Sequence, residues 1–350
     1  MQERGGLRSG AVTVPALPID TLLVAAPDQA TERARALAAT GVDGLFTFEG
    51  PWDVFLPLVL AAEATDRFVY SNVAIAFPRS PMHLAVQAND LQTLSGGRFA
   101  LGLGTQVQAH VERRYGSTWG RPVAHMGEWV EAIRAIQDRW QHGTPLDFRG
   151  EWTEHTMLTP TCDPGPNPHG PPPLWLGALG PRMTELAATA ADGLLIHPFN
   201  TERHLSEVTL PRVEASLAAA GRARDDLTIV GQAILAVGRS EEEQQAADDG
   251  VRALLGFYGS TPAYRPVLDT HGWGDIQPEL RILTREGRWD DLPSLVSDEV
   301  LATIAVRGTP AEAAAELRRR FAGRVDRVAV YAPYALADEA LAEVVAAFRG

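Results

Sequence analysis

The sequence predicts an α/β fold of the (β/α)8 TIM barrel class. Eight apolar segments alternate along the chain with segments of helical spacing, which is typical of a parallel sheet covered by helices. The strand segments are almost continuously apolar, which indicates burial on both faces. The chain has 350 residues, more than the ~250 of a typical barrel of this class. A doubly wound open sheet would show the same alternation and is the alternative.

Each predicted strand is a short apolar run bounded by a turn. The helices between the strands end at breakers: Gly41 follows the first helix and Gly96-Gly97 follows the third, and glycine commonly ends helices at such positions. The predicted strands are 19–27, 42–50, 67–77, 98–106, 174–180, 192–199, 227–238 and 325–333. The predicted helices are 29–41, 54–65, 82–95, 125–141, 181–191, 210–222 and 310–323.

The sequence predicts a tail and one domain, which contains a loop and an insertion. Residues 1–18 predict a flexible N-terminal tail, because they lack the apolar core of a signal segment. A proline-rich loop is expected at 159–173. A polar, irregular insertion with helical pieces is expected at about 240–306. No linker divides the rest of the chain, so 19–350 is predicted to be a single barrel domain.

The composition excludes several classes of function. The net charge of −13 argues against nucleic acid or an anionic membrane as a partner. All 31 basic residues are arginine, so a P-loop lysine and a pyridoxal Schiff-base lysine are both impossible. The single cysteine, Cys162, rules out multi-cysteine metal sites, and with no HExxH pair present no metal site is predicted. We expect a cytoplasmic protein without a membrane span.

The stretch LSGGRFALGLGTQ, residues 94–106, has the glycine content of a nucleotide-binding loop. Gly102 and Gly104 lack the third glycine of the dinucleotide fingerprint, and the stretch lies at the fourth strand. Two glycines two apart face the same side of a strand, where they either relieve crowding inside the barrel or admit a flat ligand to the backbone. Thr105 and Gln106 then stand at the carboxyl end of the strand, where the active sites of such barrels are built.

Two blocks of sequence carry a resemblance to a known family. LSGGRFALGLGT, which is followed by ERRYG and an amphipathic helix, and GALGPRMTELAATAADG together resemble the luciferase-like monooxygenase superfamily. The likeness runs over about residues 19–335, and it is closer to the branch that uses the deazaflavin coenzyme F-420. It implies a bacterial luciferase-like (β/α)8 barrel with the cofactor at the carboxyl ends of the strands.

The resemblance implies contacts to the cofactor ring. Relatives have a non-prolyl cis peptide in the third strand, which forms a bulge behind the deazaflavin ring, and here it would join Asn72 to Val73. Relatives often have an acidic residue two positions after the threonine of the fourth strand, and Val107 stands there instead. The residues expected to line the ring and ribityl region are Asn72, Val73, Ala74, Gly104, Thr105 and Gln106.

A second cofactor contact is expected where the fifth strand turns into the next helix. The free N–H groups at a helix N-terminus attract anions, and Pro181 at the first helical position loses no useful donor. The residues expected to cradle the cofactor phosphate are Gly177, Ala178, Leu179, Gly180 and Pro181. An ordinary strand-to-helix turn is the alternative.

Glu49, at the end of the second predicted strand, and His197, at the end of the sixth, are the candidate catalytic residues for proton transfer. Sugar-phosphate dehydrogenases of the family place an acid and a histidine near the second strand. This chain has Glu49 with Trp52 three residues on, which puts sugar-phosphate oxidation in doubt. Trp52 and Phe199 are expected to shape an apolar substrate pocket. An unperturbed histidine titrates near neutrality, and a structural role is the alternative for His197.

The resemblance implies an oxidoreductase, a deazaflavin (coenzyme F-420)-dependent enzyme that transfers a hydride between C5 of the cofactor and a small organic substrate. The alternatives are an FMN-dependent two-component monooxygenase and a non-catalytic cofactor- or ligand-binding barrel. The expected partner is a small-molecule substrate, with neither nucleic acid nor a membrane. The resemblance implies a homodimer.

Overall fold

The computed structural model of the protein describes residues 17–350. Its strands are β1 (Ile19–Leu22), β2 (Gly44–Thr47), β3 (Phe68–Ser71), β4 (Ala74–Ile75), β5 (Phe99–Gly104), β6 (Phe148–Arg149), β7 (Glu154–His155), β8 (Leu174–Ala178), β9 (Gly193–Ile196), β10 (Thr228–Val237), β11 (Val306–Gly308) and β12 (Arg327–Tyr331). Its helices are α1 (Ala30–Ala39), α2 (Leu56–Ala64), α3 (Pro81–Leu94), α4 (Gln108–Arg113), α5 (Pro122–His142), α6 (Pro181–Ala190), α7 (Glu202–His204), α8 (Leu210–Ala219), α9 (Glu241–Gly259), α10 (Arg265–Asp269), α11 (Ile276–Glu286), α12 (Asp298–Ile304), α13 (Pro310–Phe321) and α14 (Asp338–Arg349).

Eight parallel strands close into a barrel. The order around it is β1, β2, β3, β5, β8, β9, β10 and β12, and β12 pairs with β1 to complete the ring. The pairing of β9 with β10 closes the other side. Each of these strands lies inside one of the eight predicted strand segments, so the barrel prediction is confirmed and the open-sheet alternative is wrong.

Alternation along the strands fills the barrel with side chains. The middle of the interior is an apolar cluster formed by Phe46, Tyr70, Ala100, Trp175, Leu195, Val230 and Ala329. Below it, at the amino ends of the strands, a buried ion pair joins Asp20 to Arg327, with Arg327 Nη2 2.6 Å from Asp20 Oδ1. The strands therefore leave only their carboxyl ends open to solvent, which is where the predicted site residues fall.

The regions outside the barrel are partly as expected. Of the predicted tail, residues 1–16 lie outside the described residues, whereas Leu17 packs against the main core and the Pro18 carbonyl accepts a 2.8 Å hydrogen bond from Val328 N. The loop 159–173 has one short 3-10 turn and no other regular structure. The insertion at 240–306 is more regular than expected, since α9 to α12 occupy most of it.

The helices of residues 17–350 include none that is long and apolar enough to cross a membrane.

Candidate functional site

A one-residue bulge interrupts the third barrel strand. Tyr70 of β3 pairs with Ala100 of β5, but Ala74 of β4 pairs with Leu103, so four steps on one strand oppose three on the other. The peptide between Asn72 and Val73 is cis, as the resemblance implies. The extra residue re-aims the chain at the barrel mouth, and bulges commonly do this next to active sites.

The glycines of β5 make room for this bulge. A Cβ on Gly102 would lie 1.9 Å from the Ser71 carbonyl oxygen, and a Cβ on Gly104 would lie 2.4 Å from Val73 Cγ2. Ser71 Oγ replaces the missing backbone partner, since it donates to the Gly102 carbonyl at 2.8 Å and accepts from Gly102 N at 3.0 Å. The sequence left two interpretations of these glycines, relief of crowding inside the barrel or admission of a flat ligand. The contacts with Ser71 and Val73 show that both glycines relieve crowding.

Asn72 presents an unpaired amide atom at the floor of the mouth. Its Oδ1 accepts a 3.0 Å hydrogen bond from Gln232 Nε2 of β10, and both residues are 9% exposed. Asn72 Nδ2 is buried and has no partner within residues 17–350. Buried polar atoms are seldom left unpaired in folded proteins. The orphaned amide therefore fits a ligand that accepts a hydrogen bond at this position.

The N-terminus of α6 is open to solvent. Gly180 precedes the helix with an extended backbone and no side-chain cap, and Pro181 at the first position is exposed. Nothing lies within 4 Å of a Cβ built on Gly180. The first N–H groups of a helix have no partner inside the helix, so Arg182 and Met183 present theirs to whatever approaches the turn. This arrangement suits an anion.

The other residues predicted to contact the cofactor differ in how far they are buried. Ala74 is fully buried in the main core, so only its backbone can face the mouth. Gly177 lies under Val73, whose Cγ1 would be 3.0 Å from an added Cβ. Thr105 and Gln106 are half-buried at the end of β5, and Gln106 has a φ of 59°. Their side chains bond within the turn, Thr105 Oγ1 to the Gln106 carbonyl and Gln106 Oε1 to Val107 N.

Glu49 is held on both oxygens. Its Oε2 accepts from Arg79 Nη1 at 2.8 Å and from Ile75 N at 3.0 Å, and its Oε1 accepts from Arg79 Nη2 at 3.0 Å. The paired side chains are 10% and 19% exposed. The carboxylate thus ties the end of β2 to the strand that follows the bulge. This contact supports a positioning role for Glu49 more directly than proton donation.

His197 is a neutral imidazole in this surrounding. Its Nδ1 accepts a 3.1 Å hydrogen bond from Phe199 N, which places the ring proton on Nε2. The ring is half-buried and packs against Tyr264 and Tyr258, with centroids 4.3 and 5.1 Å away. Burial lowers the pKa of His197 from 6.5 to about 3. At neutral pH the residue can donate a hydrogen bond through Nε2, but it carries no positive charge.

Tyrosines from the insertion complete this side of the mouth. Tyr258 Oη of α9 lies 2.9 Å from Tyr331 Oη at the end of β12. Burial raises the pKa of both phenols, so both hydroxyls stay protonated. Phe199 is 1% exposed and stacks on Tyr264 at 6.1 Å. Its predicted role is corrected, because it supports the rim from below and does not line a substrate pocket.

An exposed apolar groove lies beside β1 and β2. Trp52, predicted as a pocket wall, is 46% exposed, and Phe48 and Val24 are 43% and 50% exposed. The groove is a shallow crevice of about 20 Å³, lined by these three side chains together with Leu23 and Thr47. Phe46 and Leu22 point into the barrel, where they belong to or pack against the interior cluster. Because side chains alternate along a strand, Phe48 and Val24, two residues further on, lie on the same inward side at the mouth.

Sequence reasoning missed several of these groups. After Thr228 at its first position, the strand TIVGQAILAV has one polar side chain, Gln232, a signal that was available. Arg79, Tyr258 and Tyr331 gave no local signal, because their partners lie far away in the sequence. In the described part of the chain, no three His, Cys, Asp or Glu side chains gather as a metal site requires. A separate cavity of about 420 Å³, lined by Glu128 and its neighbours, contains none of the predicted residues.

The chain is similar to several known proteins. Residues 7–327 match the family model described as luciferase-like monooxygenase. An uncharacterized protein of Mycobacterium tuberculosis (strain ATCC 25618 / H37Rv) is 44% identical over 301 residues, which cover 86% of this chain and 88% of that protein. The 5,10-methylenetetrahydromethanopterin reductase of Archaeoglobus fulgidus is 30% identical over 238 residues, 66% of each chain.

A solved structure has the same fold. The coenzyme F-420-dependent tetrahydromethanopterin reductase from Methanopyrus kandleri superposes with a TM-score of 0.76 and 18% sequence identity. The match covers 94% of this chain and 96% of that one. At this identity the likeness concerns the fold alone.

Proposed function

The chain belongs to the luciferase-like monooxygenase family, and from that premise we propose that it is an oxidoreductase that uses the deazaflavin coenzyme F-420. The observation that carries the proposal is the pair of features on one side of the mouth. The bulge with the unpaired amide of Asn72 fits a flat ring that accepts a hydrogen bond. The open N-terminus of α6 fits the phosphate of the same ligand. A related reductase and the superposed structure, whose name includes coenzyme F-420, support this assignment.

The residues of the chain would hold the cofactor in two places. Asn72 would donate its free amide hydrogen to the ring, with Val73 behind it, and Thr105 and Gln106 would lie along the ribityl chain. The phosphate would lie at the turn formed by Gly177, Ala178, Leu179, Gly180 and Pro181. A bound deazaflavin supplies a two-electron step, because its C5 accepts or gives a hydride.

The proposed roles of the chain's residues are positioning and proton handling. Glu49 and Arg79 fix the strand after the bulge, so that the ring and the substrate meet in one geometry. His197, as a neutral imidazole, would donate its Nε2–H to the substrate or cofactor. Trp52 would cover the substrate. A homodimer in the cytoplasm, with a small organic molecule as the substrate, stays our prediction.

A titration of the purified protein with coenzyme F-420 and with FMN tests the proposal. Cofactor fluorescence should report saturable binding of the deazaflavin and weaker binding of FMN. Tight FMN binding without deazaflavin binding would favour the two-component monooxygenase instead. A protein that binds the deazaflavin but shows identical turnover after Glu49→Gln and His197→Asn would contradict the assigned roles.

Variants at Gly180 test the phosphate turn. Asp and Asn both cap helices well, and the site has room for either side chain. Gly180→Asp should weaken coenzyme F-420 binding at least ~tenfold, since it places a negative charge beside the phosphate. Gly180→Asn is the matched control, with the same shape and no charge. Equal affinity of the two variants would show that the phosphate binds elsewhere.

A further inference from the structure

A hydrogen bond between two side-chain amides crosses the barrel just above its apolar interior. Asn72 directly follows β3 and Gln232 lies on β10, and these strands are four steps apart in either direction around the ring. Each residue comes two positions after a member of the interior cluster, Tyr70 or Val230. Alternation therefore places both amides on the inward side, one layer higher, where they form the polar floor of the mouth.

The bond ties the orientation of one amide to that of the other. Gln232 Nε2 donates to Asn72 Oδ1 at 3.0 Å, and Asn72 Nδ2 is buried without a partner within residues 17–350. An amide keeps its shape when it turns by 180°, because its oxygen and its NH2 group are similar in size. Two oxygens or two NH2 groups that face each other at this distance repel, so neither amide turns unless the other turns as well.

This coupling decides which end of the Asn72 amide is free. While Gln232 donates, Oδ1 is occupied and the free end is the Nδ2 donor. If Gln232 instead accepted through Oε1, Nδ2 would be occupied and the free end would be the Oδ1 acceptor. A ligand atom that accepts a hydrogen bond fits the first arrangement, and one that donates fits the second. The side chain at position 232 thus sets the polarity of the floor.

The other polar groups of this layer keep one protonation state near neutral pH. His197 and Tyr331 also stand two positions after residues of the interior cluster. Burial lowers the pKa of His197 to about 3 and raises the pKa of Tyr331. Between pH 5 and pH 9 the imidazole is therefore neutral and the phenol protonated. The charged pair at the mouth, Glu49 and Arg79, is common to the wild type and to every variant used below.

We propose that Gln232 is a positioning residue that holds the Asn72 amide with its donor end free, so that the site selects a ligand atom that accepts a hydrogen bond. Gln232 acts through Asn72 and needs no contact with the ligand itself. Where the ligand is coenzyme F-420, this inference rests on the proposed function. The control of Asn72 by Gln232 is a property of the protein alone.

Gln232→Glu turns this coupling into a pH-dependent property. A protonated glutamic acid donates its O–H to Asn72 Oδ1 as glutamine does, whereas the ionised carboxylate only accepts and takes the Nδ2–H instead. Burial raises the pKa of a carboxyl group, so the change falls within a titration from pH 5 to pH 9. Gln232→Met, which has a similar length and forms neither bond, is the uncharged variant for comparison.

Proton–nitrogen NMR of the cofactor-free, full-length protein tests the coupling directly. Labelling of asparagine alone gives four side-chain amide signals, from Asn72, Asn89, Asn167 and Asn200, and Asn72→Leu identifies that of Asn72. In Gln232→Glu the Asn72 amide protons should move downfield as the pH rises, because they then donate to a carboxylate. They should not move in the wild type or in Gln232→Met. Absence of this titration in Gln232→Glu would overturn the proposal.

Fluorescence titration with coenzyme F-420 tests the consequence for binding, with each affinity taken relative to the wild type at the same pH. Gln232→Glu should match the wild type at pH 5 and bind at least ~tenfold more weakly at pH 9, when no donor is free. Gln232→Met should bind ~twofold more weakly at every pH, because its Asn72 amide turns freely between two orientations and one of them is competent.

Two further variants separate orientation from charge. The double variant Asn72→Leu/Gln232→Glu keeps the carboxylate but has no amide to turn. If its affinity depends on pH as strongly as that of Gln232→Glu, charge alone weakens binding and the proposal is wrong. Gln137→Glu is the matched control, since it makes the same change at a buried glutamine of α5 that donates to the Pro172 carbonyl. Its pH profile should equal that of the wild type.

Failure of the proposed function is distinguishable from failure of this inference. A wild type that does not bind coenzyme F-420 would refute the cofactor assignment. The NMR titration of the cofactor-free protein would still decide whether Gln232 controls the Asn72 amide.

Discussion

Glu49 and Arg79 form a two-pronged ion pair between the segments that follow β2 and β4, with Oε2–Nη1 and Oε1–Nη2 distances of 2.8 and 3.0 Å. Arg79 Nη1 also donates to the Ile75 carbonyl at 2.9 Å. The pair therefore joins the end of β2 to the segment that leaves the bulge. Bidentate pairs of arginine and carboxylate fix orientation as well as distance, which makes this contact a brace for the cofactor side of the mouth.

Removal of either partner of this brace should destabilise the protein. Glu49→Leu and Arg79→Met each leave the other charge unpaired in a largely buried place, and we expect a loss of ~2–4 kcal/mol in the free energy of unfolding. The double variant should lose less than the sum, because neither charge then remains. Urea unfolding of the wild type, the two single variants and the double variant gives the coupling energy. Strictly additive losses would contradict an interaction between Glu49 and Arg79.

His197 should make stability depend on pH. Its pKa is about 3 in the fold and 6.5 ordinarily, so between these values the unfolded chain binds a proton that the folded protein does not. Stability must then fall as the pH falls from 7 towards 3. His197→Asn, which keeps an acceptor near Nδ1, should remove ~1–2 kcal/mol of the loss between pH 7 and pH 5. Urea unfolding of both proteins at pH 7 and pH 5 measures this loss of stability. An equal loss in the wild type and in His197→Asn would refute the assigned pKa.

Gly104 should tolerate no side chain while Val73 is present. An alanine Cβ would lie 2.4 Å from Val73 Cγ2, and such overpacking costs ~1–3 kcal/mol. Val73→Ala should relieve most of this loss in the double variant. Gly180→Ala is the control, since its Cβ meets nothing within 4 Å and a change within ~0.5 kcal/mol is expected. Thermal unfolding compares the variants. Equal effects at positions 104 and 180 would contradict this packing.

The amides of Asn72 and Gln232 should be coupled. Gln232→Leu leaves the buried Asn72 amide without its one partner, at a cost of ~1–3 kcal/mol. Asn72→Leu likewise leaves Gln232 Nε2 without this acceptor. The double Leu variant should lose less stability than the two single variants together. A double-mutant cycle from urea unfolding measures the coupling. Single variants as stable as the wild type would show that the bond contributes nothing.

Much of the fold and part of the site could be read from local sequence. All eight barrel strands fall within predicted segments, because a strand buried on both faces must be a continuous apolar run. The open turn before α6 and the place of His197 at the end of β9 also follow from local order. The position of the cis peptide came from the resemblance to a family and not from residue chemistry.

The pairings within the site could not be read in this way. Glu49 and Arg79 are thirty residues apart, and Asn72 and Gln232 are 160 apart. The local sequence does not indicate the partner in either case, since any arginine near the mouth could pair with the Glu49 carboxylate and any glutamine there could donate to the Asn72 amide oxygen. Phe199 shows the converse: its position after a strand end predicted a pocket wall, and packing under the insertion buried it.

The sequence by itself determined that strands and helices alternate, that the strands are buried, and that polar groups stand at the strand ends. Those features depend on residues close together in the chain. Only the tertiary structure decided which strand ends become neighbours, that Val73 fills the space beside Gly104, and that tyrosines of the insertion meet β9 and β12. The physical reason is closure of the barrel. It brings the carboxyl ends of all eight strands to one face, where hydrogen bonds, charges and apolar surface join residues that no local pattern relates.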